Sequence, residues 1–244
     1  MTDDKPRNVE GWADVVSQLH VADVPDGATN INVHGRRLTS PIQGFGKMWQ
    51  KTYSVAIPSV LASPSELIAT WKQRFPEFWP AGNRFYGPLT HIEPGDVALL
   101  TMTLPGGMKL STGVMVLYAD ERSFTLMTPQ GHMFAGWITF SAEQVGDLTV
   151  AQAQVLMRAS DPIYELGLTL GGHRQEDIFW DRTLTSLAAH FEHQGAVETR
   201  VECLDRRRQW SRWRNVWQSA AIRTTFYMAA TPARKLRHRG PRVR

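Results

Sequence analysis

The feature that most limits the possible folds of this chain is a nearly continuous series of strand-like segments that ends in one amphipathic helix. Between Pro94 and Ala159, five segments rich in β-branched, aromatic and other apolar residues are separated by short turn sequences. These segments read DVALLTMTL, KLSTGVMVLYA, SFTLMTP, HMFAGWITFSA and LTVAQAQVLMRA. Such short connections favour antiparallel pairing, because a parallel pair needs a long crossover. We therefore predict an antiparallel meander.

One strand and one helix are predicted ahead of this meander. KMWQKTYSVAI alternates as a strand does, and SPSELIATWKQRF has the start signals of a helix. Ser63 is suited to the N-cap, Pro64 to the first helical position and Glu66 to the third position of a capping box. The following PEFWPAGNRFYGP is too rich in Pro and Gly for regular structure. Its four aromatic residues indicate a lid or a cavity-lining loop.

After the meander the hydrophobic period changes from two to about 3.6 residues. DPIYELGLTLGG predicts a short helix or a turn-rich bridge, and HRQEDIFWDRTLTSLAAHFEHQG predicts a long helix that ends at Gly195. Its apolar face comprises Trp180, Leu184, Leu187, Ala188 and Phe191. The predicted fold class is α+β: a strongly bent antiparallel sheet wrapped around this helix, with a pocket between them.

The order of elements over residues 44–194 resembles the START-like, or SRPBCC, helix-grip superfamily, with EDIFWDRTLTSLAAHF as the gripped helix. The segment TGVMVLYADERSFTLMTPQGHMFAGWITF also resembles uncharacterised SRPBCC proteins of the actinobacterial type. The resemblance implies a cavity for a hydrophobic ligand. It leaves function open, since the superfamily includes lipid-transfer domains, pathogenesis-related proteins and polyketide aromatase/cyclases.

Composition divides the chain into three predicted parts. Residues 1–43 are rich in Asp, Asn, Gly and Pro, and we expect a loose arm with at most one short helix around Trp12–Leu19. Residues 44–204 form the helix-grip domain. Residues 205–244 predict a basic helix rich in Trp and Arg, ended by Pro232, and then a disordered polybasic tail.

Charge is distributed very unevenly between these parts. Residues 205–244 hold twelve Lys or Arg and one acidic residue, whereas residues 1–204 carry a net charge of −7. The basic segment suits an anionic membrane surface through Trp210, Trp213, Trp217, Arg207, Arg208, Arg212 and Arg214. Two other interpretations stay open, namely docking on the body of the domain and binding of a partner protein. The acidic body argues against nucleic acid.

We predict that the ligand is a hydrophobic small molecule or lipid. Its predicted contacts are Met115, Leu117, Phe124, Leu126, Phe134, Gly136, Ile138, Phe140, Trp180, Leu184 and Leu187, with Phe78, Trp79, Phe85 and Tyr86 at the entrance. We predict no cofactor. No metal is predicted either, because His190 and His193 lack the further ligands that zinc needs.

His132 is the best catalytic candidate, since an imidazole at the mouth of an apolar pocket titrates near neutral pH. The alternative function is therefore a cyclase, dehydratase or isomerase in which Tyr118 or Tyr164 assists His132. The simpler interpretation is a turn histidine hydrogen-bonded to the backbone, beside Gly131 in the turn and ahead of Gly136 at a bend.

The expected location is the cytoplasm, with peripheral attachment at the inner membrane face. The single Cys203 is typical of a reducing compartment, and the polar N-terminus lacks the apolar segment of a signal peptide. No segment reaches the roughly 20 apolar residues that span a bilayer.

Overall fold

The computed structural model describes residues 9–87, 92–104 and 107–237. Eight strands form one antiparallel sheet in the order β2-β3-β4-β5-β6-β7-β1-β8. The strands are β1 (Met48–Pro58), β2 (Arg84–Tyr86), β3 (Val97–Thr103), β4 (Lys109–Ala119), β5 (Ser123–Met127), β6 (Phe134–Val145), β7 (Leu148–Ala159) and β8 (Glu198–Asp205). The helices are α1 (Pro64–Gln73), α2 (Pro162–Gly167), α3 (His173–His190) and α4 (Ala220–Arg237). A turn of π-helix, Leu168–Gly172, joins α2 to α3.

The long helix α3 packs on the inner face of the sheet, so the predicted α+β helix-grip fold is confirmed. Leu184, Leu187 and Ala188 are buried in the core, and Trp180 and Phe191 pack against it. The capping box at Ser63 and Glu66 also forms as predicted. The five strands of the meander and the strand before them are present.

One end of the concave face is filled by α1 and the 3₁₀ turn that follows it. Trp71 and Phe75 are fully buried and pack edge-on against Phe124 and Phe140, whose rings are stacked 4.6 Å apart. Such aromatic packing occupies a large volume with little freedom of movement. The space left between the sheet and the helix therefore lies beside this aromatic cluster, and Phe75 borders both.

The N-terminal segment is more closely attached than a loose arm. It contains a 3₁₀ turn at Val9–Gly11, and the predicted helix around Trp12–Leu19 does not form. Instead Leu19 and Val33 are buried against Leu99 and Met115 on the outer face of the sheet. The segment therefore covers apolar surface that the sheet would otherwise expose to water. The division of the chain at residues 43 and 204 stays a prediction.

The helix α3 ends at His190 rather than at Gly195. Its C-cap is Phe191, and Glu192 takes the left-handed conformation with φ 56°. Gly195 lies against β1, where an added Cβ would overlap the side chain of Val55. The helix thus ends before the predicted stop at Gly195. The chain then turns back toward the sheet and continues into β8.

The basic segment is not one continuous helix. A 3₁₀ helix, Trp210–Gln218, is separated from α4 by buried Ser219. Ala220 N donates to Gly131 O at 2.8 Å, which ties the break to the turn before β6. The helix α4 continues through Pro232 to Arg237, so this proline does not end it. The predicted disordered end, residues 238–244, lies outside the described residues.

Candidate functional site

A cavity of about 630 Å³ lies between the inner face of the sheet and the helices α2 and α3. Its walls are mainly apolar: Leu100, Val114, Leu126, Ile138 and Val155 contribute from five strands, and Trp180 contributes from α3. A folded interior ordinarily contains few voids larger than a water molecule. A space of this size falls in the range of ligand sites.

Six of the predicted ligand contacts line this cavity. They are Trp79 from the loop before β2, Leu126 from β5, Phe134, Gly136 and Ile138 from β6, and Trp180 from α3. Gly136 lies where β6 closely approaches β7, since an added Cβ would clash with Leu156 O. Whether these residues bind a ligand stays a prediction, but their position on the cavity wall is a structural fact.

Another six predicted contacts belong to the packed core without lining the cavity. These are Phe78, Phe85, Phe124, Phe140, Leu184 and Leu187. They lie in or against the buried cluster that also contains Trp71 of α1 and Phe75 of the 3₁₀ turn. They were predicted to contact the ligand, and the apolar pattern did not distinguish residues of the packed core from residues of the cavity wall.

The remaining three predicted contacts lie away from the cavity. Met115 is buried on the outer face with Leu19 and Val33, because Val114 and Val116 take the inward positions of β4. Tyr86 packs against the same outer cluster, and its hydroxyl donates to Gly27 O at 3.3 Å. Leu117 lies at a bulge where the pairing of β4 with β5 shifts register.

His132 lies on the cavity wall and is buried. Phe134 N donates to its Nδ1 at 3.0 Å, and Phe134 O lies 3.2 Å from the same nitrogen, so the backbone of Phe134 holds the ring. Burial lowers the pKa of His132 to about 4. The imidazole is therefore neutral at physiological pH. It can donate a hydrogen bond from its N–H, but it is not in the protonated, imidazolium form of a general acid. Its catalytic role stays a prediction.

The two tyrosines proposed to assist His132 occupy different places. Tyr164 lines the cavity, and its hydroxyl accepts a hydrogen bond from Ala221 N at 2.9 Å. Burial raises its pKa above the ordinary value. Tyr118 instead packs against Trp12 of the N-terminal segment and donates to Asp120 Oδ2. Only Tyr164 is therefore placed to meet a molecule in the cavity.

A buried group of charged residues beside the cavity was missed at the sequence level. Lys51 is fully buried on the inner face of β1, and its Nζ lies 2.7 Å from Asp177 Oδ1 and 2.9 Å from Glu176 Oε2. Glu176 itself lines the cavity. The available signal was a lysine in the inward phase of an otherwise apolar strand, together with two acidic residues at the start of α3.

The environment of this group shifts three ionisation equilibria. Burial raises the pKa of Glu176 to about 7, against the opposing effect of Lys51. Burial and then the charge of Lys51 lower the pKa of His173 to about 4. Burial, the two nearby carboxylates and the hydrogen bond to Asp177 raise the pKa of Tyr53. Near neutral pH, Glu176 is thus able to exist with or without its proton.

The predicted membrane-contacting residues divide into two sets. Arg208 pairs with Glu165 of α2 at 2.9 Å, and Arg207 pairs with Asp205 at 3.2 Å, although both arginines are also exposed to solvent. The other five are exposed to solvent: Trp210, Arg212, Trp213, Arg214 and Trp217. Trp210 contacts Phe45 edge-on and yet remains 70% exposed, and Trp217 is 75% exposed.

The described residues contain no group of three or more His, Cys, Asp and Glu side chains placed to hold a metal ion. His190 lies instead against Arg74, with Nη1 2.9 Å from its Nδ1. None of the helices in the described ranges combines the length and apolar character needed to cross a membrane.

The architecture has counterparts among solved structures, although no model of a protein family and no curated protein matches this chain. Protein Ms6760 from Mycobacterium smegmatis is 14% identical with a TM-score of 0.43, over 59% of this chain and 90% of that one. The di-domain ARO/CYC StfQ from the steffimycin biosynthetic pathway is 12% identical with a TM-score of 0.48, over 60% of this chain. Our chain spans about half, 51%, of StfQ.

Major latex-like protein 151 from Panax ginseng is a further similar structure, at 15% identity and a TM-score of 0.40. The similarity covers 60% of this chain and 99% of the ginseng protein.

Proposed function

We propose that this protein binds a hydrophobic small molecule or lipid in the cavity between the curved sheet and α3. The observation that carries the proposal is a mainly apolar space of about 630 Å³ inside an otherwise packed fold. Removing apolar surface from water contributes roughly 25 cal/mol per Å². An apolar ligand that fills this space therefore gains affinity from the cavity wall and the ligand together.

A fluorescent apolar probe tests the proposal. N-phenyl-1-naphthylamine should bind saturably, at one probe per chain, with the blue-shifted emission of a dry environment. Native mass spectrometry of the same sample should detect the complex at the same stoichiometry. A linear, non-saturating fluorescence response, with no complex in the mass spectrum, would contradict the proposal.

Docking on an anionic membrane surface is a second part of the proposal. It is supported by the exposed indoles of Trp210 and Trp217 with exposed arginines beside them, an arrangement suited to the headgroup region. The 3₁₀ helix that carries them packs beside α2, where Asn215 Nδ2 donates to Ser160 O at 2.8 Å. Leu166 in α2 is 59% exposed, next to Gly167 on the cavity wall. The surface offered to lipid thus adjoins the cavity.

Catalysis in the same cavity is the alternative function. One observation favours it: two ionisable side chains, His132 and Glu176, line the space that would hold a substrate. A cyclase, dehydratase or isomerase needs such groups within hydrogen-bond reach of the reacting atoms. The discriminating experiment is to identify a co-purified ligand and incubate it with fresh protein. Recovery of the unchanged molecule supports binding alone, and conversion supports the enzyme.

A further inference from the structure

The buried charged group at the start of α3 contains more acid than base. Lys51 and Tyr53 face it from β1, and His173, Glu176 and Asp177 contribute from α3. With His173 neutral, one ammonium group serves two carboxylates. Buried charges are ordinarily paired and fully hydrogen-bonded, so the second carboxylate is the unusual member of this group.

The two carboxylates are satisfied to different degrees. Asp177 Oδ1 accepts from Lys51 Nζ and from the hydroxyl of Tyr53, both at 2.7 Å. Glu176 has a single close contact of ion-pair type, 2.9 Å from Oε2 to Lys51 Nζ. Neither Oε1 nor Oε2 makes a hydrogen bond of regular geometry among the described residues, so Oε2 keeps only its ion-pair contact and Oε1 has no partner. Asp177 is therefore well hydrogen-bonded, whereas Glu176 Oε1 is an acceptor without a donor.

The unused acceptor belongs to a residue of the cavity wall. Glu176 is 8% exposed and lines the space together with Trp180 of the same helix. Leaving a buried acceptor without a partner costs on the order of 1–3 kcal/mol, and more for a charged group. A buried acceptor in a folded protein ordinarily has a hydrogen-bond donor, and a ligand in the cavity can supply one.

We propose that Glu176 Oε1 accepts a hydrogen bond from a hydroxyl or amine group on an otherwise apolar ligand. This inference rests on the proposed function and adds the chemical class of the ligand: an apolar body with one hydrogen-bond donor. Lys51 holds the carboxylate in place from behind, and its own position is fixed by Asp177 and by His173 O at 3.3 Å. The apolar walls supply affinity, and Glu176 supplies orientation.

Three naphthalene probes of similar size test this inference. 2-Naphthol carries a hydroxyl donor, 2-(aminomethyl)naphthalene carries an amine donor and 2-methylnaphthalene carries no donor. Each displaces N-phenyl-1-naphthylamine in a competition titration at pH 7.5. We expect at least one donor probe to bind about tenfold more tightly than 2-methylnaphthalene, as one hydrogen bond to a charged acceptor allows. The better of the two donors distinguishes a hydroxyl ligand from an amine ligand.

Glu176→Met is the decisive variant, because it keeps nearly the length of the side chain and removes both acceptor oxygens. It should lose most of the preference for donor probes and bind 2-methylnaphthalene as the unaltered protein does. Asp181→Asn is the matched control, since Asp181 is an exposed carboxylate of the same helix that does not line the cavity. It should keep the preference.

The possible outcomes separate this inference from the proposal on which it rests. Equal affinity of the unaltered protein for all three probes would overturn the donor site while leaving the cavity intact. A donor preference that survives in Glu176→Met would overturn it as well. Failure of every probe to bind would contradict the proposed function itself. The ranking of probes by the unaltered protein is decisive even if the variant does not fold.

Discussion

The ammonium nitrogen of Lys51, fully buried in β1, lies 2.7 Å from Oδ1 of Asp177 at the start of α3. This contact joins β1, the strand next to the edge strand β8, to the helix that crosses the concave face of the sheet. It also fixes the end of α3 that borders the cavity. The stability of the fold and the chemistry of the cavity wall are therefore coupled at one lysine.

Replacing Lys51 with Met should destabilise the fold by about 3–5 kcal/mol, because the buried carboxylate of Glu176 loses its cation, as does the partly exposed carboxylate of Asp177. The measurement is the free energy of unfolding from urea titrations. The control is the triple variant Lys51→Met, Glu176→Gln, Asp177→Asn, which removes the charges together and should recover a large part of the loss. An equal loss in both variants would show that packing of the lysine chain, and not charge, is responsible.

The buried imidazole of His132 should make stability fall in acid. Its pKa is about 4 in the folded protein and near 6.5 when unfolded, so the unfolded state binds the proton more readily. The contribution of the neutral imidazole to the free energy of unfolding is fully present above pH 6.5. It falls by on the order of 3 kcal/mol as the pH drops toward 4. His132→Asn should lack this component in urea titrations at pH 7.5, 6 and 5. Parallel stability curves for the two proteins would refute the assignment.

Removal of the exposed indoles should weaken attachment to lipid. The double variant Trp210→Ala, Trp217→Ala should co-sediment less with vesicles of three parts phosphatidylcholine to one part phosphatidylglycerol. The control Val60→Ala removes another apolar side chain, 91% exposed, beyond the end of β1 that is remote from the basic segment, and should not change co-sedimentation. Binding should also weaken with salt, because the arginine contribution is screened. Equal sedimentation of both variants with the unaltered protein would contradict membrane docking.

Gly131 should tolerate no side chain. It has φ +89°, and an added Cβ would clash with Gln218 O where the C-terminal segment meets the turn before β6. Gly131→Ala should lower the melting temperature, and limited proteolysis should show faster cleavage within residues 206–219. Gly146→Ala, also at a positive φ but with open space around it, is the matched control for backbone strain. The same cleavage rate in both variants would argue against docking at Gly131.

Alternation predicted the meander because most of its strands have one face in the core and the other in a different environment. It failed for the faces of β4, which is buried on both sides over most of its length. The N-terminal segment covers its outer face, so both faces of KLSTGVMVLYA are buried and alternation does not show which residues point inward. Met115 was for this reason assigned to the inner face. The strand β8 was missed for the opposite reason. It is an edge strand with Glu198, Arg200 and Glu202, whose charges discourage further pairing.

The candidate site was predictable only as a region. Which apolar residues line the cavity and which fill the core depends on where α1 packs, and that is a tertiary property. Phe140 and Ile138 lie two residues apart on β6 and were indistinguishable by pattern, yet Phe140 packs against Trp71 and Ile138 lines the cavity. Lys51 was visible as an inward lysine, but its partners lie more than 120 residues away along the chain.

Filling the cavity tests the central claim most directly. Ile138→Trp places a large side chain on the cavity wall, and Val145→Trp places the same side chain at an exposed position of the same strand. The measurement is the affinity for N-phenyl-1-naphthylamine in both variants, with melting temperatures to verify folding. We predict that Ile138→Trp loses binding at least tenfold while Val145→Trp binds as the unaltered protein does. Unchanged affinity in a folded Ile138→Trp variant would show that the probe binds elsewhere and would contradict the account.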